Sequence, residues 1–523
     1  MTQIPETMKA IVLTGHGGME ALEYREDWPT PKIVSPDDVI IKIHACGMNN
    51  TDVNTRSGWY SKAVTEETTG DAYETVNTED PSWGGAPITF PRIQGADIVG
   101  TVVAVGENAD PSLIGKRVMA DCWLRDWDNP EDKNSTGYFG SECDGGFAQY
   151  TKAHRCNVQA VNSNLSDAEL ATFSCSYTTA ENLLNRVGCT EGDTVLITGA
   201  SGGVGSALIQ LANRRGAKTV ALASESKHDE VAKFSPTAIL PRAPENLTSA
   251  LKKAIGQETV SIVADIAGGE YFPTLIEALE RGGRYGTSGA IAGPIVDLDL
   301  RTLYLKDLTF HGCTITTTNV FPDLVGYIER GEVKPALAAT YALEDFHEGQ
   351  QAFIDKKHTG NIVIEPFDIT AAALMHKDSS LATDEFSTLR DAVISPWQHA
   401  NWRETYRDTN IGEDFMSRFA CYELFGHQGH FKTETMRGFL VYSDANLYYP
   451  WHHHPAEELY FIIAGEASFA TEGNEAKLLK PGDTVFHKSN QPHNMQTHKS
   501  GVLAYVIWRN EFDTAPVLTD RLN

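Results

Sequence analysis

At 523 residues the chain is too long for one hydrophobic core, and at roughly 100–200 residues per domain it calls for about three units. Hydrophobic residues at 41% and charged residues at 22% are ordinary globular proportions, which argues against long disorder. A formal net charge of -27 with no basic run argues against a nucleic acid or an anionic membrane as partner, because phosphate recognition needs clustered Lys and Arg, and points to a small-molecule substrate.

Taken in chain order, residues 8 to 160 carry short alternating apolar runs (MKAIVL, DDVIIKIHAC, ADIVGTVVAVG, KRVMA) punctuated by Gly, Asn and Asp, the pattern of a β-rich lobe. Within it, residues 61 to 90 are polar, acidic and without period, so a long surface loop is expected there. From about 161 to 310, strand-like TVLITGA, TVALAS, SIVADIAG and GRYGTSG alternate with helical segments, which predicts a parallel, doubly wound α/β sheet. Residues 311–366 complete the first lobe and end in strand-like HTGNIVIEP; 367–394 read as a linker with helical turns. Over 395–523, MRGFLVYSDANLYYP, ELYFIIAGEASFAT, AKLLKPGDTVFHK and GVLAYVIWRN are strands at short, regular spacing, as in an all-β sandwich or barrel.

The eight cysteines form no CxxC pair, so reduced thiols are expected rather than a disulfide framework. MTQIPETMKAIVL lacks a basic stretch followed by an apolar one, and no apolar run reaches the roughly 18 residues of a membrane span, so a soluble, cytoplasmic protein is expected.

The stretch TVLITGASGGVGSALIQLA sets Gly199, Ser201, Gly202, Gly203, Val204 and Gly205 between a predicted strand and a predicted helix. In that context glycines let the backbone approach a pyrophosphate, and the helix offers its N-terminal N–H groups. The next strand ends in Ser224, with Lys227 close behind, where an acid would accept from a ribose 2′-OH. A hydroxyl and a cation there favour NADPH over NADH, although Glu225 would serve the 2′-OH if the turn were offset by one residue.

Residues 8–366 resemble the medium-chain dehydrogenase/reductase superfamily, and within it the zinc-free, quinone-oxidoreductase-like branch, through ACGMNNTDVNTRSGWY, FPRIQGADIVGTVVAVG, SECDGGFAQY and GASGGVGSALIQLA. The resemblance implies a GroES-like lobe beside a Rossmann domain. Where zinc-dependent members carry a Cys and a Gly-His-Glu, this chain has Asn49 and Gly95-Ala96-Asp97, so no catalytic zinc is expected here. Cys46 and Cys175 lie nearby but cannot make a site alone. Asn49, Asp52 and Tyr60 are candidate cleft residues, with turn capping and packing as the plainer account of them. A homo-oligomer formed through the reductase lobe is expected.

Near the C-terminus, WHHHPAEELYF places three histidines, two glutamates and a tyrosine in eleven residues. On a strand leading from a turn, His452 and His454 share a face, Glu458 and Tyr460 can join them, and His453 faces away. His493, in PGDTVFHKSNQPHNM, comes from another strand. Imidazoles and a carboxylate converging in a barrel suit a divalent transition metal, with zinc, iron, manganese and nickel all compatible. The offsets from His452 through His454, Glu458 and Gly465, and then Gly482, Pro492 and His493, resemble the cupin superfamily. Asn446, Lys488 and Asn490 replace its usual turn Gly, Pro and Gly, which bears on loop shape more than on ligation.

With CYELFG and VLAYVIWR added, residues 395–515 resemble the cupin-type dimethylsulfoniopropionate lyases. That family carries a Tyr two residues after the ligating Glu and another five before the second His, positions held here by Tyr460 and Tyr449. The resemblance implies cleavage of the substrate to dimethyl sulfide and acrylate. A metal would acidify the C–H beside the substrate carboxylate, Tyr460 would take the proton, and Tyr449, Tyr422 or Trp451 would face the sulfonium. The competing readings are a quinone or enal reductase whose cupin is an oxygenase or isomerase, and a cupin that senses a ligand without turnover.

Overall fold

The chain folds as two units, Met1–Pro366 and Phe367–Asn523. The computed structural model describes residues 4–65, 67–68, 87–366, 370–381, 383, 385–395, 402–403, 411–427, 429, 431–512, 514 and 516–519. Most of the polar loop expected over 61–90 lies outside them, as does part of the 367–394 linker. Among the described residues no helix is long and apolar enough to cross a membrane.

The first unit is built on two main sheets. The strand Thr194–Ile197 lies between Lys218–Ala223 and Val260–Asp265; Ala238–Pro241 extends one side and Leu279–Thr287 and Thr309–Gly312 the other, all six parallel. Numbered by sequence the order is 3-2-1-4-5-6, the doubly wound arrangement in which ligands bind where the strand order reverses. Its strands are apolar on both faces because helices cover both: Leu196, Val220 and Val263 pack on one side, and Val195, Ile197, Ala221 and Ile262 on the other.

In the second sheet the strand Asp38–Gly47 is the hub, antiparallel to Asp97–Val105, Tyr150–His154 and Asn361–Glu365. Asn361–Glu365 and its parallel neighbour Leu337–Ala342 come from beyond the Rossmann strands, so the chain leaves this lobe and returns to finish it.

The second unit is a curled, β-rich cupin barrel with the helices Thr370–Lys377, Ser387–Ile394 and Glu413–Arg418. The 17-residue strand His493–Arg509 organises it, pairing with Met436–Ser443 and Tyr448–His453 along one edge and Glu457–Thr471 along the other. Side chains two apart share a face. Cys421, Phe439, Val441, Tyr460 and Val506 therefore form one cluster, and the intervening Ala420, Tyr422, Leu440 and Tyr442 form another against Ala371 and Met375 of the first helix.

Bends in the strands fall where the backbone permits them. Gly465 has φ 73°, and a β-carbon there would collide with the Gly501 carbonyl oxygen, so the 15-residue strand kinks with register shifts on both sides of it. Asn446 and Asn490 have φ of 52° and 57°, the left-handed region that asparagine tolerates best after glycine, which is how the chain turns where the cupin pattern carries glycine.

Candidate functional site

WHHHPAEELYF spans the end of strand Tyr448–His453, a turn, and the start of strand Glu457–Thr471. The ladder sets His452 opposite His493, and Glu458 between His487 on Thr484–His487 and Trp508 on His493–Arg509. His452, His454, Glu458, His487 and His493 are all at most 2% exposed. Nδ1–H of His452 donates to Pro450 O at 2.8 Å, that of His454 to Ala456 O at 3.0 Å, and that of His493 to Gln491 O at 2.8 Å. A carbonyl can only accept, so each ring is fixed with its proton on Nδ1 and a bare lone pair on Nε2.

Those lone pairs converge. Nε2 of His493 lies 3.0 Å and Nε2 of His454 3.5 Å from Glu458 Oε2, and Nε2 of His454, His487 and His493 are buried without a hydrogen-bond partner. Bare nitrogens facing a carboxylate oxygen repel unless a cation lies between them, so the residues fit a metal ion. Two three-donor sets are within reach of one ion, His452 with His454 and His493, and Glu458 with His487 and His493. Burial pushes His452 well below the ordinary imidazole range and lowers His487 as well. Burial also opposes the charge on Glu458, yet the imidazoles around it, with His487 donating its N–H, hold its carboxyl well below the usual range.

Aromatic rings wall this cluster. Tyr449 stacks on His452 with centroids 4.0 Å apart and packs on Phe415 and Phe419. The Tyr460 ring lies edge-on to His487 at 5.7 Å and to Phe469 at 5.1 Å.

In the first unit Gly199 has φ 57°, and Gly202 caps the helix Gly203–Arg214. A β-carbon on Gly205 would collide with the Gly199 carbonyl oxygen, so helix and strand meet at glycine only. Gly360 N donates to Ser201 O at 2.8 Å, tying the returning chain to this turn, and Val204 is half-buried on the helix. Ser224 and Glu225 are exposed at the end of the second strand. The Lys227 ammonium donates to Lys356 O and His358 O at 2.7 and 2.6 Å, so it braces that loop.

Among the cleft candidates, Asp52 caps the helix Asn50–Ser57 by accepting from Asn49 N at 2.8 Å, and Asn49 Nδ2 donates to Asp97 at 3.1 Å. Asp97 also accepts from Cys175 N at 2.6 Å. Burial pushes Asp52 and Asp97 each up to about 7. Tyr60 is half-buried against Trp59.

Comparison with known proteins follows the division into units. Residues 35–163 match the family model of the alcohol dehydrogenase GroES-like domain, 203–330 that of zinc-binding dehydrogenase, and 350–504 that of dimethylsulfoniopropionate lyase. The solved structure of a Sinorhizobium meliloti 1021 protein assigned to the alcohol dehydrogenases is 44% identical, covers 70% of this chain and 99% of its own, and superposes with a TM-score of 0.64. Acryloyl-coenzyme A reductase of Sulfurisphaera tokodaii is 28% identical over 69% of this chain and all of its own length. Dimethylsulfoniopropionate lyase DddQ of Ruegeria pomeroyi is 45% identical over 186 residues, 36% of this chain and 87% of that protein. The chain belongs to the dimethylsulfoniopropionate lyase family, fused behind a medium-chain dehydrogenase/reductase.

This fused lyase combines a carbon–sulfur lyase unit with an oxidoreductase unit. In the lyase unit His452, His454, Glu458 and His493 come together, with Tyr449 and Tyr460 against them. One other residue predicted for substrate does not share that wall. Tyr422 belongs to the opposite face, edge-on to Trp402, and its hydroxyl donates to Val393 O at 3.2 Å. Trp451 is half-buried, with its carbonyl accepting from Thr519 N. His453 turns away and meets Thr519 Oγ1 at 2.8 Å. The motif reading missed His487 and Trp508, whose indole N–H donates to Glu458 Oε1 at 2.7 Å and whose ring covers His454. The signal for His487 was its place on the strand just before the second motif's turn, a position whose partner only the register reveals.

Proposed function

We propose that the C-terminal unit eliminates dimethyl sulfide from dimethylsulfoniopropionate, leaving acrylate, and that the N-terminal unit is an NADPH-dependent reductase of an activated alkene. The observation that carries the first part is the convergence of buried, unprotonated imidazole nitrogens on the ionised Glu458, beside Tyr460. His452, His454, Glu458 and His493 would hold a divalent transition metal. When bound, such an ion draws charge from the substrate carboxylate and so acidifies the adjacent C–H as a Lewis acid.

The remaining steps belong to the side chains. Tyr460, as the phenolate that a neighbouring bound cation would favour, takes the proton from the carbon next to the carboxylate onto its oxygen and becomes the neutral phenol. The electron pair of that C–H bond becomes the C=C bond of acrylate as the β C–S bond breaks, and neutral dimethyl sulfide departs with the sulfur's pair. The Tyr449 ring, held by Phe415 and Phe419, presents an aromatic face for the sulfonium. The apolar wall of Phe415, Phe419 and Phe469 keeps water from the forming carbanion.

For the reductase, the glycine turn at 199–205 would seat the pyrophosphate, and the cofactor supplies a hydride. Ser224, in place of an acid at the end of the second strand, favours NADPH. An acryl thioester is the favoured substrate class: free acrylate stabilises a carbanion poorly, and the likeness to acryloyl-coenzyme A reductases supports it. Exposed Ile295, Leu300, Tyr304 and Leu305 lie just ahead of the edge strand Thr309–Gly312 and support a homo-oligomer through this unit. Eight free cysteines suit the cytoplasm.

Headspace gas chromatography of the metal-loaded chain with dimethylsulfoniopropionate tests the lyase reading. Dimethyl sulfide from the unaltered chain and none from His454→Ala supports it; none from either overturns it. NADPH oxidation by an acryl thioester, and not by free acrylate, is the matching result for the reductase.

A further inference from the structure

The four motif donors leave one buried imidazole without a task. His487 has no exposed surface and stands directly opposite Glu458 on one side of the ladder, as Trp508 does on the other. Nδ1–H of His487 donates to Glu458 Oε2 at 2.8 Å, and Nε1–H of Trp508 donates to Oε1 at 2.7 Å. Both carboxylate oxygens are therefore gripped from the flanking strands. Oε2 is also the oxygen that faces His493 Nε2 at 3.0 Å and His454 Nε2 at 3.5 Å. The rings are locked in turn, His487 by stacking on His493 at 3.9 Å and Trp508 by covering His454 at 4.4 Å.

We infer that His487 and Trp508 are positioning residues that clamp Glu458, so that it meets the metal through the single oxygen Oε2. This rests on the metal reading above. The clamp explains why two strands aim N–H donors at one carboxylate: a free glutamate would swing between rotamers or offer both oxygens, whereas two donors on opposite oxygens fix one orientation and favour the ionised form. The competing role for His487 is that of a ligand through Nε2, which is buried without a hydrogen-bond partner.

The two roles need different nitrogens, and amide side chains separate them. Asparagine places an N–H near the position of Nδ1, whereas glutamine reaches toward that of Nε2. The full-length chain, stripped by chelator, is titrated with Zn²⁺ in competition with a chromophoric chelator. The clamp predicts affinity about 10–100-fold weaker in His487→Ala and His487→Gln, and within about three-fold of the unaltered chain in His487→Asn. It also predicts weaker binding in Trp508→Phe, which keeps the ring over His454 but lacks the donor. His487→Asn as weak as His487→Ala overturns the clamp, and so does an unchanged His487→Ala. Should His487→Ala fail to fold by circular dichroism, Trp508→Phe decides, and affinity equal to the unaltered chain overturns the proposal. An unaltered chain that binds no Zn²⁺ sinks the metal reading itself, a result distinct from each of these.

Discussion

Each unit buries acids at its centre, with opposite results. Glu458 is 2% exposed and stays ionised, while Asp97 and Asp52, at 0% and 3%, are pushed up to about 7. Burial opposes the charge in all three. The difference lies in the neighbours: Glu458 has an indole N–H and an imidazole N–H on its two oxygens, whereas Asp52 and Asp97 face each other and have only backbone and amide donors. Donor type and sign of charge decide what a buried carboxylate can do, so one site is ready for a cation and the other holds a proton.

The largest expected effect tests the first side of this contrast. Tyr460→Phe leaves the ring against His487 and removes only the phenolic oxygen, so dimethyl sulfide release should fall by about 10²–10⁴-fold with Zn²⁺ affinity nearly unchanged. Equal loss of affinity and turnover would make Tyr460 a ligand rather than a base. Next in size, Gly465→Ala forces a β-carbon into the Gly501 carbonyl at positive φ and should cost about 3 kcal/mol in the barrel, read as a lower urea midpoint for its unfolding.

The acids of the reductase unit give the third prediction. Their folded pKa values are raised above the usual aspartate range, so the folded state holds protons that the unfolded chain releases. The stability they contribute is full below about pH 4 and is lost as pH rises through about 7, with a slope of up to about 1.4 kcal/mol per pH unit for each proton. Asp97→Asn should flatten that slope, measured by hydrogen exchange of the strand Asp97–Val105 between pH 5 and 8. A slope as steep as before would mean that Asp97 does not titrate in this window. The smallest effect is at Asn490, where Asn490→Gly should be neutral and Asn490→Ala should cost about 1 kcal/mol, because only alanine resists positive φ without a side-chain hydrogen bond.

Much of the barrel site was legible because its information is local. His452, His454, Glu458 and Tyr460 lie within nine residues, and the turns at Asn446 and Asn490 are asparagine standing where glycine is usual. The glycine turn at 199–205 was legible for the same reason: strand, loop and helix are consecutive. Tyr422 shows where such reading ends. Strand period separates its face from that of Cys421, but nothing in the segment says which face meets the histidines and which meets the helix Thr370–Lys377. The sequence offers Lys227 as a cation near the ribose, but not that its ammonium also donates to carbonyls of a loop more than a hundred residues away.

The sequence by itself determined two families, the order of their domains, the glycine turn and the run of histidines, because each is written in consecutive residues under a fixed backbone period. Only the tertiary structure decided that Asn361–Glu365 returns to pair with Asp38–Gly47, and that His487 and Trp508 grip Glu458 from either side. These are matters of register between strands distant in sequence. A period of two tells which face a residue takes, but its partner across the ladder is set by how far neighbouring strands slide before their side chains pack.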